Sequence, residues 1–501
     1  MIASRQLFNA DGVLLSALLE SDSAPAISVT GINSDSRQIN PGDLFFALPG
    51  DRYDGRHFIR QAVSRGAVAV VAEPTIAPED FPADVPVIEK SGLQQQLGHI
   101  AARFFGEPSR HLRMTGVTGT NGKTTVSQLT GQLLRACGFP CGVIGTIGAS
   151  LYGTPADALN TTPDAIELQR QLATWREAGA VAVVMEASSH ALVQGRVNGV
   201  QFDTAVFTNL SRDHLDYHGS MAAYAEAKLR LFLMPGLQHS VINKDDPAAS
   251  SLIARIAARN DILTYSVKGD AAASIRLSDA RYTRSGLQAQ LSTPWGDANI
   301  QCALIGAFNL ANVAAAIAAA VLSGCEFDQV VAELPQLTAV PGRMQTVPND
   351  RGVQVVIDYA HTPDALEKAL SALRDHVRGR LLVVFGCGGD RDRGKRAAMG
   401  CIACAFADVV YVTSDNPRHE EPASIMDDVA AGCSGNYSLV EDRAEAIRSA
   451  IATAKEGDCV LIAGKGHENY QVIGAEKHPF SDLAEAQVAL RNTTPGQGAT
   501  S

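Results

Sequence analysis

The stretch that most constrains this chain is Thr115-Gly116-Val117-Thr118-Gly119-Thr120-Asn121-Gly122-Lys123-Thr124-Thr125, set between a short apolar run and an amphipathic segment. Its residue types describe a loop that holds phosphate. Gly116, Gly119 and Gly122 allow the backbone to turn with its N–H groups facing inward, Lys123 adds a compact positive charge, and the Thr124 hydroxyl suits a Mg2+ ligand. Downstream, Val126, Leu129, Leu133 and Leu134 recur at helical spacing, and Gly138 supplies a stop. Phosphate would then lie at a helix N-terminus, where unpaired N–H groups and the helix dipole favour an anion. Five residues separate Gly116 from Gly122, one more than in the general phosphate loop, and position 117 is Val.

A length of 501 residues predicts roughly three domains. The net charge of −11, without a long Lys/Arg cluster, argues against a nucleic-acid partner and for small phosphorylated ligands. The apolar run 13–19 is short and broken by Ser16, so no signal peptide is read. The Ala-rich run 313–322 falls short of the roughly 18 to 20 residues that span a bilayer. It predicts a buried helix, and no membrane insertion. Nine scattered cysteines, an odd number, point to reduced thiols in a cytoplasmic protein. Cys401 and Cys404 form a CxxC in a helical-looking run with no second pair nearby, which reads as core packing.

Residues 1–90 predict a compact αβ module. It has strands over 44–48, 67–72 and 85–88, and loops around Asp35-Ser36-Arg37 and Pro49-Gly50-Asp51-Arg52. Further on, Asn160-Thr161-Thr162-Pro163-Asp164 places Thr162 to cap a helix or to meet a ligand. The run 180–185 ends in Glu186-Ala187-Ser188-Ser189-His190, which sets a carboxylate and hydroxyls at a strand's carboxyl end, where open α/β sheets bind ligands. A second strand, 204–208, leads into Asn209-Leu210-Ser211-Arg212-Asp213-His214-Leu215-Asp216-Tyr217-His218-Gly219. Hard oxygen ligands and His beside a nucleotide loop suggest Mg2+ chemistry, although a solvated loop has the same composition. In the helix that follows, over 224–232, Lys228 is ordinarily a surface residue.

From about 342 a fresh βα series begins. Apolar runs at 353–357, 381–385, 409–413 and 460–463 each end in a polar loop. The loops begin Asp358-Tyr359-Ala360-His361, Gly386-Cys387-Gly388-Gly389-Asp390-Arg391, Ser414-Asp415-Asn416-Pro417-Arg418 and Gly464-Lys465-Gly466-His467-Glu468. The pattern predicts a second doubly wound sheet with these loops along its carboxyl edge. Residues 492–501 read as a disordered tail. The fold expected is α/β, with an N-terminal domain over 1–90, a central phosphate-loop ATPase over 91–341 built on a mostly parallel sheet, and a Rossmann-like C-terminal domain over 342–491.

Fixed Arg beside paired carboxylates suits an amino-acid-like zwitterion, because Arg forks onto a carboxylate while Asp or Glu receives an ammonium. ATP, an amino acid and a third ligand together suggest amide-bond formation through an acyl phosphate. The nucleotide loop, Asn160-Thr161-Thr162-Pro163, Glu186-Ala187-Ser188-Ser189-His190, Asp213-His214-Leu215-Asp216-Tyr217-His218-Gly219, Asp358-Tyr359-Ala360-His361-Thr362-Pro363 and Asp415-Asn416-Pro417-Arg418 together resemble the Mur ligase family, over nearly the whole chain and in the family's order.

The resemblance implies a monomeric, ATP- and Mg2+-dependent cytoplasmic ligase of peptidoglycan precursor synthesis. It would add meso-diaminopimelate to UDP-N-acetylmuramoyl-L-alanyl-D-glutamate. It assigns Ser36, Asp51, Thr161, Thr162, Ser188, Gln194 and Arg196 to the UDP-muramoyl-dipeptide. ATP falls to Gly119, Thr120, Asn121, Gly122, Lys123, Thr124 and Thr125, with Asn309, Arg343 and Asp358. Thr124, Glu186, His214 and Lys228 as a carbamate (N6-carboxylysine) fall around metal, and Lys123, Lys228, His214 and His361 are its catalytic set. Arg391, Asp415, Asn416, Pro417, Arg418, Gly464 and Glu468 match its diaminopimelate site, where Arg418 would fork onto the carboxylate that L-lysine lacks. Gln345 stands where the family pattern leads one to expect Glu, and no role is assigned to it. An L-lysine-adding relative and a folylpolyglutamate synthetase-like ligase are the alternative readings.

Overall fold

The computed structural model describes residues 11–50, 53–76, 82, 84–151, 160–283 and 286–492. Asp51 and the tail beyond Asn492 lie outside the described residues. The chain divides into two compact units, Met1–Tyr265 with Ala315–Glu326 and Ser266–Ala314 with Phe327–Ser501.

In the first unit Arg113–Thr118, Cys141–Gly145, Ala182–Glu186, Thr204–Phe207, His239–Asn243 and Asp261–Ser266 are parallel strands, and Gly148–Ser150 adds an antiparallel edge. Arg113–Thr118 lies in the interior, between Thr204–Phe207 and Ala182–Glu186. Strands buried on both faces need apolar side chains at successive positions, which is why these segments read as continuous runs. Ala182–Glu186 is buried throughout, its terminal carboxylate included. The register sets Val117 beside Glu186 and Thr118 beside Phe207, so three strands end level and their loops emerge together. A separate four-stranded parallel sheet, Gly31–Asn33, Asp43–Ala47, Ala69–Ala72 and Val87–Glu89, forms the N-terminal module. Its core includes Leu93, Leu97 and Ile100 of the helix Leu93–Phe104, and Ile166 and Ala173 of the helix Ala165–Glu177.

The second unit holds an antiparallel ribbon, Ile275–Thr283, Gly286–Thr293 and Gly296–Cys302, and a six-stranded sheet. The order of that sheet is Gln345–Val347, Gln354–Asp358, Cys459–Ala463, Leu381–Phe385, Val409–Val412, Tyr437–Leu439, with only the first strand antiparallel. Successive side chains point to opposite faces. Val356, Val383, Phe385 and Val412 pack with Leu366, Leu370, Met399 and Val429. Val355, Ile357, Val384 and Ile462 pack with Ile447, Ile451, Ala486 and Leu490. Helices thus cover both faces, as a doubly wound sheet requires.

The Ala-rich run forms the helix Phe308–Leu322, wholly buried from Val313 to Ala320. Among the described residues no helix is long and apolar enough to cross a membrane.

Several expectations are corrected. The run 85–88 becomes the edge strand Val87–Glu89, only half buried because one side lacks a neighbour. Tyr437–Leu439 is a fifth parallel strand that hydropathy missed, since all three of its residues are exposed. The CxxC is core packing only in part: the helix Gly394–Phe406 turns Cys401 to solvent, whereas half-buried Cys404 packs against the core beside Cys433. Desolvation and that neighbouring thiol push the Cys433 thiol up to about 12. The nine cysteines are free thiols. Asn492 ends the helix Asp482–Asn492 rather than starting a tail.

One buried ion pair ties this helix to the sheet. Arg443 Nε and Nη2 donate to the two oxygens of Asp482 at 2.7 Å each, and Nη2 also donates to Ala463 O at 2.9 Å. Both side chains are fully buried. Removing one partner of such a pair strands the other charge, so Asp482→Ala is expected to lower the unfolding free energy by about 3–5 kcal/mol. Urea denaturation of the full chain measures it, and a loss under about 1 kcal/mol would contradict the burial argument.

Candidate functional site

The nucleotide loop joins the strand Arg113–Thr118 to the helix Lys123–Ala136, whose buried stripe includes Val126, Leu129, Leu133 and Leu134. Gly122 occupies the N-cap position at φ 85° and supplies no side-chain cap, so the first N–H groups of the helix keep their capacity for an anion. Gly119 stands at φ 151°, and a Cβ there would lie 1.9 Å from Thr208 Oγ1. Gly116 has a different task from the one its position in the motif suggested. It lies inside the strand, where a Cβ would press on the Phe202 ring at 2.9 Å, so it serves packing rather than the turn.

The neighbouring loop after Thr204–Phe207 clasps the nucleotide loop. Thr208 Oγ1 donates to Asn121 O at 2.6 Å, Asn121 N donates to Asn209 Oδ1 at 2.9 Å, and Thr120 N donates to Asn209 O at 2.8 Å. Thr120 Oγ1 accepts from Ser211 N at 3.0 Å. Sequence reasoning quoted Asn209 only as part of a polar loop and did not single out Thr208, since nothing local marks them as clamps.

Two ammonium groups converge on this loop. Lys123 Nζ donates to Gly119 O and Thr120 O at 2.9 Å each, and Lys228 Nζ donates to Gly119 O at 2.7 Å. Lys228 is not the surface lysine its helix suggested. The helix Met221–Phe232 turns it inward to 3 % exposure, over the Tyr224 ring at 4.2 Å. Desolvation, reinforced by Lys123 and opposed by Asp213, holds its amine well below the usual lysine range.

Beside the loop, Glu186 is fully buried at its strand end. Its carboxylate accepts from Thr146 N at 2.8 Å and Thr146 Oγ1 at 3.2 Å. Thr146 Oγ1 is 3.1 Å from Thr161 Oγ1. Thr162 is not the helix cap: Asp164 is, accepting from Ile166 N and Glu167 N. Thr162 instead is buried, donates to Glu186 O at 2.7 Å and accepts from Ser188 N at 3.2 Å. Arg196 Nη1 donates to Thr162 O and its Nε to Gln194 Oε1, and Gln194 Nε2 donates to Tyr217 Oη. One continuous network thus links Thr161, Thr162, Ser188, Gln194 and Arg196. Ser36 stands apart in the N-terminal module, at the start of the short helix Ser36–Gln38, buried and donating to Gln61 Oε1 at 2.7 Å.

His214, at φ 53°, is half exposed and packs edge-on to His190 at 4.9 Å, within a group of rings that includes Tyr217, His218 and Tyr224. Desolvation and the neighbouring imidazoles hold His190 and His218 below the usual histidine value. Among the described residues no cluster of three His, Cys, Asp or Glu is arranged as a metal site by itself. Thr124, in the first turn of the helix, is a buried residue.

In the second unit the loops after the parallel strands form another cluster. Arg418, at φ 53°, anchors Nη1 on Gly389 O at 2.7 Å, while its Nε and Nη2 make no hydrogen bond among the described residues. Asn416 Nδ2 donates to Glu468 Oε2 at 3.1 Å. Gly464 lies at φ 117°, where a Cβ would be 2.6 Å from Asp415 Oδ2. Pro417 is buried, and its carbonyl comes so close to Gly389 that a Cβ there would lie 1.9 Å away. Arg391 is exposed near Arg418. Behind them Arg396, fully buried, donates to Glu420 and Asp428 and to Gly388 O, and holds Glu420 at about 2, well below the usual carboxylate value. Wholly buried Lys465 was missed as a site residue, because a lysine in a Gly-rich loop carries no sequence mark of burial.

Of the remaining candidates, Asp358 accepts from Met344 N and Ala360 N and is held above its usual value by desolvation, against the pull of Arg343. The Arg343 guanidinium lies 4.6 Å over the Tyr359 ring. His361 Nδ1 pairs with Tyr359 O at 2.8 Å. Asn309 is buried and donates to Ile305 O at 2.6 Å. Gln345 Oε1 accepts from Gly342 N at 2.9 Å, which gives that side chain a local role in closing the turn.

Comparison with known proteins adds three family matches. They are the Mur ligase family catalytic domain over residues 28–105, the Mur ligase middle domain over 117–320 and the Mur ligase glutamate ligase domain over 342–466. The UDP-N-acetylmuramoyl-L-alanyl-D-glutamate--2,6-diaminopimelate ligase of Coxiella burnetii is 47% identical, over 96% of this chain and 100% of its own. Its counterpart from Pseudomonas aeruginosa is 50% identical, over 91% of this chain and 94% of its own. A solved structure of a ligase of the same name superimposes with a TM-score of 0.74 at 38% identity, covering 96% of this chain and 99% of the other.

The geometry of the nucleotide loop yields a direct test. Gly119→Ala forces a Cβ into Thr208 and displaces the carbonyl that both lysines share, so nucleotide affinity is expected to fall about tenfold or more, roughly 1.4 kcal/mol. Calorimetric titration with ADP measures it; affinity within twofold of wild type would show that the loop tolerates a side chain there.

Proposed function

The chain belongs to the Mur ligase family, and from that premise we propose that it joins meso-diaminopimelate to the D-glutamyl γ-carboxylate of UDP-N-acetylmuramoyl-L-alanyl-D-glutamate, with ATP hydrolysed to ADP and phosphate. The observation that carries the amino-acid assignment is Arg418, anchored through one nitrogen with the rest of its fork unengaged among the described residues, beside Asn416 and Glu468. That fork suits a carboxylate bidentately. Diaminopimelate has a second carboxylate and L-lysine does not.

The reading divides the chain into a UDP-binding domain (1–90), a central ATP-dependent domain (91–341) and an amino-acid domain (342–491), acting as a monomer in the cytoplasm. The order of the three matched family segments supports this division, although the first of them extends past residue 90. Thr161, Thr162, Ser188, Gln194 and Arg196 would hold the muramoyl dipeptide, with Ser36 and the segment near Asp51 on the UDP. Residues Gly119 to Thr125 would hold the ATP phosphates, and Asn309, Arg343, Asp358 and His361 are assigned to the nucleotide by motif correspondence.

In the first step an oxygen of the D-glutamyl γ-carboxylate attacks the γ-phosphorus of ATP, the bond to the β,γ-bridging oxygen breaks and ADP leaves. Lys123 stabilises the charge that develops on the transferred phosphoryl group. In the second step the amine of diaminopimelate attacks the acyl carbon, the tetrahedral intermediate expels phosphate, and the amine proton is released. Thr124, Glu186 and His214 are the residues that would hold Mg2+, which would neutralise phosphate charge.

Lys228 supports a further assignment. Its desolvated amine is biased to the neutral form, which can add CO2 to give an N6-carboxylate and a proton, and so supply an anionic group beside the loop. Because the amine is held low, it becomes protonated only as pH falls through that lowered value. Carbamylation should therefore persist at pH values where ordinary lysines are fully charged.

Two experiments follow. Phosphate release with the nucleotide dipeptide is expected with meso-diaminopimelate and not with L-lysine. Arg418→Ala is expected to lose about 2–5 kcal/mol in kcat/KM for diaminopimelate, roughly 30-fold to several thousand-fold. Equal turnover with lysine would favour the lysine-adding alternative, and turnover only with a folate would favour the folylpolyglutamate synthetase reading. Depletion of CO2 at mildly acidic pH is expected to reduce the rate reversibly, with bicarbonate restoring it; an unchanged rate would remove the carbamate.

A further inference from the structure

At the end of the strand Cys459–Ala463 the chain buries an ammonium group completely. Lys465 has no exposed surface. A lysine charge so placed is costly unless it is compensated by partners. Its Nζ donates to Asn416 Oδ1 at 3.0 Å and to Glu468 Oε2 at 3.2 Å, and lies 3.7 Å from Asp415 Oδ1. Asn416 closes the ring, since its Nδ2 donates to the same Glu468 oxygen at 3.1 Å while its Oδ1 also accepts from Val472 N at 2.9 Å.

The result is an asymmetric carboxylate. Glu468 Oε2 receives both donors, whereas Oε1 makes no hydrogen bond among the described residues, and the side chain is 17% exposed. The other charged groups nearby are engaged elsewhere. Arg443 is held by Asp482 and Ala463 O, Arg343 stacks on Tyr359, and Tyr470 presents its ring 5.9 Å from Lys465 Nζ. Lys465 is thus the cation that fixes how Glu468 is turned.

We infer that Lys465 is a positioning residue for the amino-acid pocket: together with Asn416 it pins Oε2 of Glu468 and presents Oε1 to an ammonium group of the incoming amino acid. The inference rests on assigning this loop cluster to the amino-acid substrate. Lys465 itself is too deeply buried to touch that substrate, so it acts through Glu468. A neutral side chain at 465 leaves Glu468 free to rotate beside Asp415, and the loss falls on amino-acid binding rather than on the nucleotide.

The test is steady-state phosphate release by the full chain, varying meso-diaminopimelate, ATP and the nucleotide dipeptide in turn. Lys465→Met is expected to raise KM for diaminopimelate about tenfold or more, while KM for ATP and for the dipeptide stays within about threefold. In a Glu468→Gln background the same substitution is expected to add less than about threefold, because the two residues act as one unit. Lys465→Gln, which keeps a donor for Asn416 without the charge, should show the same split. Equal losses in both backgrounds, or a fall in kcat without a change in amino-acid KM, would make Lys465 a support of the loop only. Failure of both Lys465 variants to fold would overturn the inference too, since the ammonium would then serve the fold. Glu468→Gln alone separates the two layers of the argument: an unchanged amino-acid KM there removes the site itself, whereas a raised KM there with normal values in Lys465→Met removes only the role of Lys465.

Discussion

Two lysine ammonium groups share one carbonyl oxygen, Gly119 O, and the chemistry of the first unit depends on how that crowding is resolved. Like charges this close repel, and the repulsion grows as water is excluded. Lys228, buried under the loop and stacked on Tyr224, is the one pushed towards neutrality. Lys123 is half-buried and holds two carbonyls of the loop, Gly119 O and Thr120 O. Burial, more than the shared oxygen, therefore sets the two amines apart. The clamp formed by Thr208 and Asn209 matters because it fixes the loop carrying that oxygen.

The second unit uses buried charge in a related way. Arg396 is held by Glu420 and Asp428, Arg443 by Asp482, and Lys465 by Asn416 and Glu468; Glu420, Asn416, Lys465 and Glu468 stand on loops that follow parallel strands, whereas Asp428 and the Arg443–Asp482 pair belong to helices. Buried ion pairs add little net stability compared with apolar packing, but removing one partner is costly, so they act as orienting devices. Arg396 also bonds Gly388 O, next to the Gly389 carbonyl that anchors Arg418. Arg418 and Glu468 are thereby each braced from behind.

Strand and helix positions followed from local patterning, because an apolar run or a helical stripe is a property of adjacent residues. Lys123–Ala136, Ala182–Glu186 and four parallel strands of the second unit lie where hydropathy puts them, whereas Thr115 to Thr118, read as loop, continue the strand Arg113–Thr118. Tyr437–Leu439 escaped because an exposed edge strand carries no apolar signal. The cap reading of Thr162 failed for a related reason. A Thr before Pro reads as a cap, yet its hydroxyl is drawn to Glu186 O, 24 residues away. Gly116 fits the phosphate-loop pattern, but the Phe202 ring that requires a glycine there belongs to a distant segment.

By itself, then, the sequence determined where the candidate loops stand: motif spacing marks the phosphate loop, and the ends of apolar runs mark the strand edges where Glu186, Asp358, Asp415 and Gly464 stand. Tertiary structure alone decided which of those side chains are buried and which donors they meet. Lys228 reaches Gly119 O across 109 residues, and Lys465 reaches Asn416 across 49. Desolvation of an ammonium depends on everything packed around it, and that surrounding is assembled only when strands far apart in the chain come side by side.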